Sequence, residues 1–278
     1  CYSDSHGHPA GPGAWMVPAM QKLIKGISEQ SGAEKKNVIF GCEAAAAEPF
    51  MENLPLNDLR FTQVLNFGEW VPAYAFVFHE YVNNFQGNQV ETTGMLEVDK
   101  GANHLLQRTA YSFAACDLMT IVLTEEGEIH WGWCTRFSVP VPDQESIIAL
   151  IRNLTAWRKQ AAHPFLVYGR MEKPFPLVDM ETADVYRKDR PRRGVQPPKT
   201  NVIKFDKVLT SRFQHEGRDV QLLVNWQEEP KDVTVALPDS VTRVSVITDA
   251  SGTKDEIAVR EQCITVEVPA LNALLIEF

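Results

Sequence analysis

The chain has 278 residues, 44% hydrophobic and 23% charged, with a net charge of −9. That length exceeds one typical domain and the composition is that of a folded protein, so two domains are expected and a disordered chain is excluded. The negative field repels phosphate backbones and anionic headgroups, and no apolar run reaches the ~18 residues of a membrane helix, so neither a nucleic-acid nor a membrane partner is expected. Cys1, Cys42, Cys116, Cys134 and Cys263 are scattered, without a CxxC pair, which speaks against a disulfide framework or a thiolate zinc site and for buried free thiols.

The opening "CYSDSHGHPAGPGAW" lacks an initiator Met and reads like the interior of a loop. A fragment or processed product of a longer protein is therefore expected, and localisation stays undetermined. Met16, Met20, Leu23, Ile24 and Ile27 have helical spacing over residues 15–32. Residues 37–42 form a short apolar run suited to a strand buried on both faces, as in parallel sheets. A weaker strand candidate covers 61–67, and the aromatic run 73–78 predicts a strand ending in His79-Glu80-Tyr81. A helix over 103–115 carries Leu105, Leu106, Ala110 and Phe113 and feeds a third apolar strand over 118–123.

Asp143 is placed to cap the clearest helix, whose stripe is Ile147, Ile148, Leu150, Ile151, Leu154 and Trp157. A fourth strand is expected over 165–168. Strands and helices alternating at this spacing indicate α/β architecture. The units are too few for an eight-stranded barrel of ~250 residues, so a partial (β/α) TIM-type barrel over 1–172 is expected. Residues 173–199, ending in the basic, proline-rich "RKDRPRRGVQPPK", read as a linker. From 200 to 278 apolar residues recur with period two, as at Val220, Leu222, Val224 and Trp226, between turn signals, which predicts an all-β antiparallel sandwich as an accessory domain.

In parallel α/β folds the loops at the C-terminal strand ends build the site. Those ends deliver Glu43, then His79-Glu80, then "EIHWGW" (128–133). Carboxylates for protonating a leaving oxygen and for nucleophilic or base work, with flat aromatic faces beside them, are what glycoside hydrolysis requires. No cofactor is implied. Asp4, His6 and His8, joined by His79, His104 or His130, keep a metal-dependent barrel hydrolase open as an alternative. A non-catalytic carbohydrate-binding fragment is the other.

The stretches "YSDSHGHPAGPG" (2–13), "CEAAAAEPF" (42–50), "VPAYAFVFHEY" (71–81) and "FLVYGRM" (165–171) occur in that order. Together they resemble the C-terminal half of a bacterial family of uncharacterised, glycoside-hydrolase-like proteins. The resemblance implies a β/α barrel closed by a β-sandwich, with Glu43 and Glu48 in a paired glutamate loop and His79, Glu80 and Tyr81 at a later strand end. The strand that precedes the His-Gly-His loop in that family is missing here, so a missing N-terminal barrel half or another subunit is an expected partner. Glu43 and Glu80 are the candidate catalytic carboxylates. His79, Tyr81, His6, His8, Glu48, Trp131 and Trp133 are expected to line an oligosaccharide or glycoside site. Adjacent strand residues point to opposite faces, so His79 and Glu80 cannot both face the substrate unless the strand has ended between them. Pro49 disfavours the α conformation at Glu48 and turns the chain away.

Overall fold

A computed structural model describes residues 7, 13–36, 38–43, 50–51, 54–58, 72–92, 98–132, 143–188 and 200–278. It contains helices together with parallel and antiparallel sheets, in two compact units: residues 1–59 with 81–84, and residues 60–80 with 85–278.

In the first unit, α1 (Met16–Ala33) follows the predicted spacing. Its C-terminus closes in a Schellman pattern, with Lys35 N donating to Gly32 O, Lys36 N donating to Ser31 O, and Lys35 at φ 56°. Strand β1 (Gly41–Glu43) pairs in parallel with β2 (Leu56–Asp58), and β3 (Asn83–Phe85) is the next strand of that sheet. The segment before β1 is not buried on both faces as expected: Val38 and Ile39 are exposed, as is the Cys42 thiol.

The second unit starts with a correction. Residues 73–78 form helix α2 (Ala73–Phe78), not a strand. Helix α3 (Ala102–Ala114) is as predicted and is buried along most of its length. Residues 118–123 form no continuous strand; Leu118 makes one parallel bridge to Phe85 and Leu123 one antiparallel bridge to Ile129. Helix α4 (Gln144–Lys159) buries Ile147, Leu150, Ile151, Leu154 and Trp157, five of the six expected stripe residues. Asp143 precedes it in the left-handed conformation (φ 58°, ψ 37°) with no side-chain cap, because that backbone does not aim the carboxylate at the first-turn N–H groups. Residues 165–168 are also helical, within α5 (His163–Tyr168).

Strand β4 (Arg170–Glu172) then leaves the helical layer and pairs with β8 (Val208–His215). The stretch read as a linker carries β5 (Leu177–Val178) and β6 (Thr182–Lys188), while 61–67 and the proline-rich 189–199 lie outside the described residues. β6 pairs with β7 (Thr200–Asp206). The remaining strands are β9 (Arg218–Asn225), β10 (Lys231–Ala236), β11 (Val244–Ile247), β12 (Lys254–Ile257), β13 (Cys263–Val268) and β14 (Asn272–Glu277). A six-stranded sheet runs β12-β11-β14-β9-β8-β4, and a three-stranded one runs β13-β10-β5.

Period-two alternation explains the two cores. Val220, Leu222 and Val224 of β9 join Leu105, Phe113, Leu154, Trp157 and Phe165 of the helices, while Leu223 joins Val233, Val235, Ile264 and Val266 of the smaller sheet. The central strands are thus buried on both faces. Trp157 Nε1 donates to Asn272 Oδ1 at 2.9 Å and Asn153 Nδ2 to Leu271 O at 2.9 Å, tying α4 to β14.

Candidate active site

The first unit supplies the arrangement richest in chemistry. In the β1–β2 pair the register partners are Gly41 with Leu56, Cys42 with Asn57, and Glu43 with Asp58. Gly41 is needed for the close approach: a β carbon there would lie 2.8 Å from Leu56 O. Glu43 and Asp58 are each the last residue of their strand, and the strands run the same way, so two acidic positions stand side by side at one C-terminal sheet edge. Asp58 is 7% exposed and has interaction partners in the fold. Val38 and Phe40, two residues apart, both line an apolar groove against Leu23 and Ile27 of α1.

The sequence missed Asp58. Only three residues, Leu-Asn-Asp after Pro55, form its strand, and so short a run has no periodicity to detect.

Glu80 is exposed in the turn after α2 and belongs to the second unit, whereas Glu43 belongs to the first. His79, beside Glu80, is half-buried and turned inward: Nδ1 lies 2.7 Å from Ala75 O and Nε2 2.6 Å from Gly169 O. Its ring also meets Phe213 edge-on at 6.0 Å. Both nitrogens thus face backbone carbonyls, an arrangement that fastens α2 to the end of α5. Because the chain here is helix and turn, the strand-parity argument about His79 and Glu80 does not apply. Tyr81 is exposed.

Trp131 is a core residue rather than an exposed platform, and its carbonyl accepts from Thr92 Oγ1 at 3.0 Å. His6, His8, Glu48 and Trp133, and Asp4 of the metal alternative, lie outside the described residues. His104 is buried in α3, and His130 Nδ1 accepts from Gly132 N at 3.1 Å, so neither stands at an open strand end. No group of three or more His, Cys, Asp or Glu able to hold a metal occurs among the described residues.

The second unit also holds a buried polar network. Fully buried Arg108 donates to Gln86 O, Gln86 Nε2 donates to the Asp117 carboxylate, and Asn88 Nδ2 donates to His130 O at 2.6 Å and Gly132 O at 3.1 Å. Arg158 reaches in to donate to Cys116 O and Asp117 O, each at 3.0 Å. Burial holds the Arg158 guanidinium below its ordinary pKa, and the neighbouring Cys116 and Asp117 oppose that shift. Burial and then the Asp117 charge push the Tyr111 hydroxyl well above its ordinary pKa. These bonds tie the loop after β3 to α3, to Asp117 and to the segment 130–132, and they act as framework.

Residues 1–88 match the family model of a domain of unknown function, DUF6259. No curated protein matches. Among solved structures, a noncanonic maltogenic α-amylase, AmyB, from Thermotoga neapolitana is 13% identical with a TM-score of 0.47, covering 95% of this chain and 65% of its own. An α-amylase from H. orenii is 13% identical with a TM-score of 0.48, covering 96% and 58%. An α-galactosidase I from Mortierella vinacea is 8% identical with a TM-score of 0.44, covering 94% and 63%. The chain spans less than two thirds of the length of each of these. The structures it is similar to are glycoside hydrolases.

Proposed function

We propose that the chain is the C-terminal part of a (β/α)-barrel glycoside hydrolase and that Glu43 and Asp58 are its carboxylate pair, acting on an oligosaccharide or glycoside. The observation that carries this reading is the register of β1 and β2, which makes the two acidic positions neighbours at the C-terminal strand ends. One carboxylic acid protonates the departing glycosidic oxygen while the other carboxylate attacks the anomeric carbon. Strands lie ~4.8 Å apart. Carboxyl groups carried on register partners therefore suit the ~5–5.5 Å separation of a retaining mechanism, where an inverting one needs ~6.5–9.5 Å to admit a water.

Glu80, a candidate from the sequence, is the competing second carboxylate. It stands exposed in a turn rather than at a strand end. The test is hydrolysis of a panel of aryl glycosides by the purified chain. Glu43→Gln should lower turnover roughly 10²–10⁴-fold. Full activity in that variant, or no turnover of any panel member by the unaltered chain, overturns the assignment.

A further inference from the structure

Where α5 meets the end of β8, three rings come together on the surface of the second unit. Tyr168 stacks on His215 with centroids 6.1 Å apart and planes 30° apart, and His163 meets Tyr168 edge-on at 5.8 Å and 78°. Tyr168 is nonetheless 62% exposed, so most of its ring faces solvent.

The backbone behind the ring is held from several sides. Gly169 follows directly, and a β carbon there would come within 2.5 Å of Phe165 O, so this close turn accepts only glycine. Gly169 O lies 2.6 Å from His79 Nε2, and Gly169 N donates to Phe165 O at 3.1 Å. His163 Nδ1 lies 3.2 Å from Arg158 O, which fixes that ring. Among the described residues, the Tyr168 hydroxyl and His163 Nε2 have no hydrogen-bond partner.

An exposed aromatic ring with unengaged polar atoms at its rim, already ordered before any ligand arrives, loses little conformational entropy on binding. Its chemistry matches a pyranose: C–H groups stack on the flat face while ring-edge hydroxyls exchange hydrogen bonds with the phenol and imidazole. The chain's negative charge disfavours the other ligand that stacks on such rings, a nucleic-acid strand. We propose that His163, Tyr168 and His215 form a non-catalytic binding site for a neutral oligosaccharide. The choice of sugar as ligand rests on the glycoside-hydrolase reading.

The test is an NMR titration of the intact chain with maltohexaose, xylohexaose and mannohexaose, following the ring protons of His163 and His215. At least one sugar should shift both sets of signals, Tyr168→Ala should weaken that binding roughly tenfold, and Tyr168→Phe should keep most of it. His163→Ala gives a second, independent weakening. Hydrolysis of an aryl glycoside should be unchanged by Tyr168→Ala. Absence of binding to all three sugars overturns the proposal, as does equal affinity in Tyr168→Ala. So does binding that Asp58→Asn abolishes and Tyr168→Ala leaves intact, which would place it at the candidate active site. Binding needs no turnover, so an inactive chain that still binds at Tyr168 contradicts the hydrolase reading alone.

Discussion

Glu43 and Asp58 are register partners, each closing its own strand of a parallel pair. Two residues upstream, Gly41 and Leu56 hold the same pair in contact, and the two facts are linked: the acidic positions stay adjacent only if the strands approach that closely at Gly41.

Gly41→Ala should therefore push β1 and β2 apart. A β carbon 2.8 Å from Leu56 O forces backbone movement, at a cost of about 1–3 kcal/mol. Urea denaturation would read this as a lower midpoint, and hydrolysis should fall with it. An unchanged midpoint would show that the strands do not meet as described.

Cys42 and Cys116 should differ sharply in reactivity. Cys42 is exposed; Cys116 is buried just past α3, where burial pushes its thiol well above the ordinary range, Arg158 pulls the other way and the Asp117 charge adds to the rise. The thiolate is the reactive form. With iodoacetamide at pH 8 and peptide mapping, Cys42 should be modified readily and Cys116 only after denaturation. Early labelling of Cys116 in the folded chain would contradict its placement.

Acid should weaken the six-stranded sheet through Glu277. Its carboxylate accepts from Arg218 Nε at 2.7 Å and Lys254 Nζ at 2.6 Å. The Arg218 hydrogen bond is the largest cause holding its pKa below the ordinary 4.5, against partial burial, which raises it. A carboxylate depressed in the folded state contributes stability that is present above pH 4.5 and lost as pH falls through the lower folded value. Glu277→Gln should lower Tm at pH 7 and flatten the dependence of Tm on pH below about 4.5. Parallel curves for both proteins would contradict this role.

The helices at 16–33, 102–114 and 144–159 were legible in the sequence because each is long enough for its 3.6-residue period to repeat. The runs at 73–78 and 165–168 were misread as strands for the opposite reason. Runs of six and of four apolar and aromatic residues have no resolvable period, and the deciding signal was proline at the start: Pro72 precedes α2, and Pro164 sits in the first turn of α5. Strand β9 of the six-stranded sheet followed from the alternation of Val220, Leu222 and Val224. The helices covering one face of that sheet did not, because Leu222 and Leu223 look equally apolar whichever layer they meet. At the candidate site, Glu43 stood out beside an apolar run. Asp58 became visible only through pairing with β1, a contact between strands that no local pattern encodes.

The choice between Asp58 and Glu80 as the partner of Glu43 is the most direct test. It requires kcat for an aryl glycoside in Asp58→Asn and Glu80→Gln, each against the unaltered chain and with folding checked by circular dichroism. The account predicts a loss of roughly 10²–10⁴-fold for Asp58→Asn and little change for Glu80→Gln. The reverse order, with Asp58→Asn fully active, would contradict it.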